Sequence, residues 1–87
     1  MRLTVYSRTW CHLCDDLCAA LEPIATRYGV GVDVIDVDND PALEALHGER
    51  VPVLFAGDQE LCHYHLDAAR VIAALEAHAA AGRDPAH

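Results

Sequence analysis

The sequence predicts a single α/β domain in which a four-stranded mixed sheet is flanked by helices. Three observations support this prediction: strand-like and helix-like segments alternate along the chain, a glycine turn joins the last two strand-like segments, and 53% of the residues are apolar. With 87 residues the chain can form one hydrophobic core. We therefore expect one domain over residues 1–81, followed by a flexible tail over residues 82–87.

The first half of the chain is typical of a strand, a helix and a second strand. Residues 3–6 are β-branched, apolar and aromatic, as in a strand. Apolar residues recur at three- and four-residue spacing over residues 13–28, which predicts a helix that ends at Gly29 and that Pro23 should kink or divide. The valine-rich residues 30–37 favour a strand buried largely on both faces.

Two further helices have recognisable N-terminal caps. Asp40 precedes Pro41, a residue favoured at the first position of a helix, and Gly48 should end this short helix. Asp67 should cap the last helix, whose apolar residues repeat at helical spacing. This apolar face consists of Val71, Ile72, Leu75 and Ala79.

A β-hairpin is predicted between the second and third helices. Residues 51–55 and 59–63 are strand-like, and the turn Gly57-Asp58 joins them. The order of elements is therefore β-α-β-α-β-β-α. The first two strands should pair in parallel through a right-handed crossover, and the hairpin should add antiparallel strands to the same sheet.

The residues that carry chemistry are Cys11 and Cys14, which lie three positions apart where a turn meets the first helix. A cysteine at a helix N-terminus faces free backbone N–H groups and the positive end of the helix dipole, which favour its thiolate. Thiols so placed have pKa values of roughly 3.5–7.5 instead of about 8.5. We expect Cys11 to attack a substrate disulfide and Cys14 to resolve the resulting mixed disulfide.

Neighbouring side chains should modulate this dithiol. Arg8 and protonated His12 would stabilise a thiolate, whereas Asp15 and Asp16 support the helix N-terminus but oppose negative charge on the sulfur. Trp10 is expected either to form an apolar surface beside the Cys11 sulfur or to be an aromatic residue that is partly buried in the turn. Arg8, Trp10 and His12 are therefore candidate substrate-binding residues.

The pattern resembles the thioredoxin superfamily, and in particular small glutaredoxin-like proteins. The first strand, the Cys-x-x-Cys at the following helix and the later Val51-Pro52 step carry this resemblance over nearly the whole chain; Arg8 stands where glutaredoxins have a basic residue, and Val5 where thioredoxins have a buried acid. The resemblance implies a thioredoxin-like fold and a thiol–disulfide oxidoreductase that transports electrons. It also implies that Pro52 is cis and shapes the substrate groove, and that the backbone of Val51 binds an extended disulfide substrate.

The segment after the last strand departs from the glutaredoxin pattern. Glutaredoxins usually hold glutathione with a Gly-Gly pair and acidic residues at this place, whereas residues 61–67 contain no glycine and only Asp67 matches. We therefore expect no bound cofactor, while glutathione remains open as a reductant. The Cys-His-Leu-Cys spelling also differs from the usual Cys-Pro-Tyr-Cys, so the reduction potential of the family is not transferred.

Two other functions are compatible with the sequence. The dithiol could be half of a zinc or Fe–S site completed by Cys62 and His63, which should finish at the same end of the sheet. A binding module with this fold would lack turnover, and its thiols would have ordinary reactivity. Cys18 is interpreted as a small core residue in preference to a second resolving thiol, and Cys62 as a core thiol or a partner in an alternative disulfide. His47 and His78 are expected on helix surfaces.

The composition narrows the range of partners. The chain has 14 acidic residues against six arginines, and a lack of clustered basic residues argues against nucleic acid and anionic membranes. No apolar stretch is long enough to span a bilayer, and the N-terminus does not resemble a signal peptide. We expect a cytoplasmic monomer that acts on a disulfide-containing protein or a small thiol substrate.

Overall fold

A computed structural model describes residues 1–82 and contains, within them, four strands and three α-helices in the predicted order. The elements are β1 (Arg2–Ser7), α1 (His12–Tyr28), β2 (Gly31–Asp36), a 3-10 turn (Val37–Asn39), α2 (Pro41–His47), β3 (Val53–Ala56), β4 (Gln59–His63) and α3 (Ala68–Gly82). Because α3 includes Gly82, the part of the predicted tail that lies outside the described residues is 83–87. None of the helices in residues 1–82 is long and apolar enough to cross a membrane.

The four strands form one mixed sheet in the order β2-β1-β3-β4. β1 pairs in parallel with β2, whereas β3 pairs antiparallel with both β1 and β4. The helix α1 connects the parallel pair, and the β3–β4 hairpin turns at Gly57, whose φ of 59° lies in the left-handed region that glycine adopts readily. The predicted mixed four-stranded architecture is confirmed.

One side of the sheet, which we call the first face, carries the main core. Leu3 and Val5 of β1 lie opposite Ala56 and Leu54 of β3, and all four are buried together with side chains from α1 and α3. This core consists of Leu3, Val5, Leu17, Leu21, Leu54, Ala56, Leu61, Val71 and Leu75. The alternation of side chains along β1 and β3 thus directs Leu3, Val5, Leu54 and Ala56 toward the two long helices.

The opposite side of the sheet, the second face, is covered by the short helix α2. The His47 ring stacks on Tyr6 with 4.4 Å between ring centroids and meets Phe55 edge-on at 5.5 Å. His47 is therefore half-buried, and its prediction as a surface residue is wrong. The sequence pattern of α2 could not show this, because Tyr6 and Phe55 come from two strands that are distant in sequence.

The predicted helix caps are confirmed. The Asp40 carboxylate accepts the N–H of Ala42 at 2.9 Å, and the Asp67 carboxylate accepts the N–H of Arg70 at 3.1 Å. Gly29 ends α1 with a φ of 65°. These local signals fix where the helices start and stop.

The helix α1 continues through Pro23, so of the two predicted alternatives, a kink or a division, the division is wrong. Proline removes the N–H that the carbonyl of Ala19, four residues earlier, would accept. Both Pro23 and Ala19 are exposed, so water can satisfy the free carbonyl. A proline on the exposed side of an amphipathic helix is thus tolerated here.

The strand β2 is much less buried than predicted. Val34 is 56% exposed and Ile35 is 36% exposed, whereas burial on both faces was expected. The physical reason is its position, since β2 forms the edge of the sheet and pairs only with β1. Val32 is half-buried and packs against the first-face core.

Candidate active site

The dithiol lies where the central strand β1 gives way to α1. Cys11 is the N-cap of α1, with an extended backbone (φ −106°, ψ 105°). The N–H of Cys14 donates to the Cys11 sulfur at 3.1 Å, and the N–H of Asp15 donates to the Cys11 carbonyl at 3.2 Å. The structure therefore places Cys11 at the N-terminus of α1, as predicted.

Cys11 and Cys14 are joined by a disulfide, with 5.2 Å between their Cα atoms. Their environments differ, because Cys11 is partly exposed whereas Cys14 is only 3% exposed. An incoming disulfide can therefore reach the first sulfur more easily than the second. This asymmetry matches the roles of an attacking and a resolving thiol.

Arg8 is placed in the loop before the dithiol, but carboxylates are the hydrogen-bond partners of its guanidinium. Its Nη2 atom donates to Asp38 at 3.0 Å and to Glu44 at 3.2 Å. Next to it, the Thr9 hydroxyl donates to Asp36 at 3.2 Å. These contacts tie the loop to the segment that begins at the end of β2, a pairing that no local sequence pattern indicates.

Trp10 and His12 flank Cys11 and are both exposed. Trp10 is 95% exposed and has a φ of 62°, which is rare for a bulky residue. The alternative that Trp10 is a partly buried turn aromatic is therefore wrong. Trp10 therefore presents an exposed apolar surface in the residue that precedes Cys11.

The Val51-Pro52 step lies at the same end of the sheet. Tyr6, near the end of β1, pairs with Val53 of β3, which places the preceding Pro52 next to the loop that carries the dithiol. The Val51–Pro52 peptide bond is cis, Pro52 is buried and Val51 is half-buried. Within residues 1–82, the backbone N–H and C=O of Val51 make no hydrogen bond.

The end of β4 reaches this region as well. His63 pairs with Val53, so Cys62 and His63 finish at the dithiol end of the sheet as predicted. Among the described residues, no group of three or more His, Cys, Asp or Glu side chains is arranged to hold a metal ion. Asp67 follows them, and its carboxylate already caps α3.

The other two cysteines have a different environment. Cys18 and Cys62 are half-buried and pack against the first-face core, in agreement with their interpretation as core residues. Burial raises the pKa of Cys18, and the nearby Asp15 carboxylate raises it further. Burial also raises the pKa of Cys62. Both thiols should therefore be weak nucleophiles at neutral pH.

Sequence reasoning missed Tyr64, which contacts the segment before Pro52. The N–H of Tyr64 donates to the Pro52 carbonyl at 2.9 Å, and its phenol donates to the Glu49 carbonyl at 3.0 Å. Tyr64 has a φ of 63°. In the sequence, Tyr64 is marked only by its position directly after a strand in a region without glycine. This position does not indicate its contacts with Pro52 and Glu49.

Comparisons with known proteins agree with this geometry. The family model described as glutaredoxin-like domain (DUF836) matches residues 2–76. A protein from Nitrosomonas europaea, Ne2328, is 41% identical, with 84% of this chain and 88% of that chain covered and a TM-score of 0.76. The protein XcR50 from X. campestris is 39% identical over 86% of this chain and 96% of its own, with a TM-score of 0.64. No curated protein matches the sequence.

Two further structures bear on the fold. The glutaredoxin-like protein NrdH-redoxin from Escherichia coli is 32% identical over 77% of this chain and 88% of its own, with a TM-score of 0.50. Thioredoxin 1 from Thermosipho africanus is 19% identical over 97% of this chain and 100% of its own, with a TM-score of 0.67, and shows similarity of fold. The chain therefore belongs to the glutaredoxin-like domain family and has a thioredoxin-like fold.

Proposed function

We propose that this protein is a thiol–disulfide oxidoreductase in which Cys11 is the nucleophile and Cys14 the resolving thiol. The observation that carries the proposal is the geometry of the pair: a partly exposed sulfur at the N-cap of α1, bonded to a buried sulfur one turn away. The similar NrdH-redoxin has a thioredoxin-like activity profile, which supports the same class of chemistry.

The first step begins from the reduced dithiol. The Cys11 thiolate is favoured by the N–H of Cys14 and by the other free N–H groups at the start of α1. It attacks one sulfur of a substrate disulfide, and a new S–S bond forms between Cys11 and that sulfur. The other substrate sulfur leaves as a thiolate and takes up a proton.

The second step releases the substrate. Cys14 loses its proton and attacks the Cys11 sulfur, which forms the intramolecular disulfide seen in the structure. The bond between Cys11 and the substrate breaks, and the second substrate sulfur leaves as a thiolate. In total the dithiol delivers two electrons; of the two protons that the substrate thiolates take up, one comes from Cys14 and the other from solvent. An external thiol must reduce the Cys11–Cys14 disulfide before the next cycle.

The residues around the dithiol are proposed to bind a disulfide-containing protein or small thiol substrate. The unpaired backbone of Val51 would pair with an extended substrate, beside a groove shaped by Pro52. The exposed Trp10 and His12 would contact residues next to the substrate disulfide. Arg8 would act by holding the dithiol loop, since its guanidinium is paired with carboxylates.

A proposal about glutathione follows from Asp67. Asp67 is engaged as the cap of α3, which leaves its carboxylate less available to a glutathione molecule. We propose that the protein acts as a monomer in the cytoplasm without a bound cofactor. Glutathione is then one candidate among the thiols that reduce the Cys11–Cys14 disulfide.

Single cysteine variants test the proposal through the reduction of insulin by the protein with dithiothreitol as reductant. Cys11→Ser should abolish catalysed reduction, because the attacking thiol is lost. Cys14→Ser, reduced and then freed of dithiothreitol before insulin is added, should accumulate a mixed disulfide between Cys11 and the substrate, detectable by mass. Cys18→Ser is the matched control and should retain activity. Full activity in the Cys11→Ser protein would refute the assignment.

Thiol reactivity separates an oxidoreductase from a binding module with the same fold. In the reduced protein, Cys11 should be alkylated by iodoacetamide at neutral pH well before Cys18 and Cys62, because the pKa values of those two thiols are raised. Their alkylation should accelerate only as the pH rises above the usual range of cysteine pKa values. Equal rates for all thiols at neutral pH would favour the binding module.

A further inference from the structure

The backbone of Tyr64 adopts a conformation that bulky residues rarely take. Tyr64 follows the last residue of β4 and has a φ of 63°. Its N–H donates to the Pro52 carbonyl at 2.9 Å, which adds one hydrogen bond beyond the last strand pair, His63 with Val53. Such backbone strain persists where surrounding contacts hold it, and it often marks a functional constraint.

The side chain of Tyr64 reaches the other end of the same short segment. Its phenol oxygen donates to the Glu49 carbonyl at 3.0 Å. The His63 ring packs edge-on against the Tyr64 ring, with 4.7 Å between centroids. Tyr64 therefore holds residues 49–52 at both ends, with its backbone at one and its phenol at the other.

This segment contains a residue, Val51, whose backbone N–H and C=O are free, within the described structure, to bind another chain. Arg50 is fixed by its Nη1 atom, which donates to Glu60 at 2.8 Å, and by its N–H, which donates to the His47 carbonyl at 2.9 Å. Between these anchored positions, Val51 is half-buried, and its N–H and C=O make no hydrogen bond within the described residues. A fixed segment with a free N–H and C=O can pair with an extended peptide at a low entropic cost.

We propose that Tyr64 is a positioning residue that holds residues 49–52 so that Val51 binds substrates whose disulfide belongs to an extended peptide. The proposal rests on the oxidoreductase function and specifies its substrate class. A disulfide carried by a single amino acid offers no extended backbone to Val51. Tyr64 should therefore matter for peptide disulfides and matter little for the smallest ones.

Two substrates with one leaving group test this proposal. One is a short extended peptide whose cysteine is linked to thionitrobenzoate, and the other is free cysteine linked to the same group. The released thionitrobenzoate is followed by absorbance after mixing with pre-reduced protein. Loss of one hydrogen bond in Tyr64→Phe should raise the half-saturating concentration of the peptide substrate roughly two- to tenfold, with little change in the maximal rate. The value for the cysteine substrate should stay nearly constant.

Tyr28→Phe provides the matched control. The Tyr28 phenol donates to Glu76 at 2.8 Å, between α1 and α3, so this variant also loses one phenol hydrogen bond. It should leave the half-saturating concentrations of both substrates unchanged. An equal loss for both substrates in Tyr64→Phe would indicate a merely structural role and would overturn the proposal.

Tyr64→Gly is a second variant, which removes the whole side chain and with it both the phenol hydrogen bond and the ring contact with His63. Glycine adopts a positive φ without strain, so the variant should fold, which circular dichroism can check. It should lose more affinity for the peptide substrate than Tyr64→Phe does, and wild-type affinity in this variant would overturn the proposal. If the wild-type protein released thionitrobenzoate from neither substrate, the oxidoreductase function itself would be wrong, a result distinct from any change in selectivity.

Discussion

The two faces of the sheet are built differently. The first face is apolar, and the helices α1 and α3 cover it with leucine and valine side chains. The second face is covered by α2, a helix of seven residues that contributes no buried residue. The contacts on this second face are the stack of His47 on Tyr6 and the ion pairs that Arg2 forms with Asp33 and Arg8 forms with Asp38. The first face therefore has the contacts of a folding core, whereas the second face combines aromatic contacts and ion pairs with a single buried valine of β3, Val53.

This difference implies that the first face stabilises the fold, whereas the second face positions the loops of the active site. Burial of apolar area is the dominant favourable contribution to folding, whereas exposed ion pairs contribute little. The second-face contacts nevertheless reach the active site, because Arg8 links the dithiol loop to Asp38 and Glu44. His47 also accepts the N–H of Arg50 at its carbonyl, in the segment before Pro52. The first face should thus determine the free energy of unfolding, while the second face should hold the loops of the site in place.

The largest predicted effect is on the first face. Leu21 of α1 is 1% exposed, so Leu21→Ala should leave a cavity and lower the free energy of unfolding by about 2–5 kcal/mol. Leu46→Ala on α2 is the matched control, since Leu46 is 65% exposed and its truncation should change stability by less than about 0.5 kcal/mol. Urea denaturation measures both. A comparable loss in the two variants would contradict the distinction between the faces.

A smaller effect is predicted where the second face is aromatic. His47→Ala removes the ring that stacks on Tyr6 and should lower the free energy of unfolding by about 1 kcal/mol. His78 is exposed on α3, so His78→Ala should be nearly neutral in the same denaturation experiment. If His47→Ala matched the loss in Leu21→Ala, the second face would have to be regarded as a second core.

The parts of the fold that could be predicted depend on chemistry within a few residues. Asp40 beside Pro41 defines the start of α2, and Gly29 defines the end of α1, because caps and left-handed turns are local. The placement of Cys11 at a helix N-terminus follows in the same way from a turn before an amphipathic segment. These positions need no knowledge of the tertiary structure.

The remaining features depend on which segments become neighbours in space. The valines of β2 indicate a strand, but the strand order of the sheet decides that it is an exposed edge. Arg8 is predicted from the sequence to stabilise a thiolate, and the fold also brings Asp38 and Glu44 to its guanidinium. The contacts of Tyr64 also join segments that are separated in sequence, which is why neither composition nor periodicity revealed them.

The smallest predicted effect concerns an exposed ion pair on the second face. Arg2 and Asp33 lie on β1 and β2, and the Arg2 guanidinium donates two hydrogen bonds of 2.8 Å to the Asp33 carboxylate. The hydrogen bond and charge of Arg2 lower the pKa of Asp33 in the folded state. The resulting stabilisation is present above the ordinary aspartate pKa of about 3.9 and is lost as the pH falls through the lower folded value.

Arg2→Gln should therefore return the pKa of Asp33 toward its ordinary value, which NMR of the carboxyl carbon can follow. The stability difference between wild type and variant should be present at neutral pH and should vanish in strong acid, where Asp33 is protonated in both. Added salt should reduce it at neutral pH, because the pair is exposed. A double-mutant cycle with Asp33→Asn isolates the pair from other effects of the substitutions. A coupling that survived both acid and salt would mean that this edge of the second face is held by packing rather than by charge.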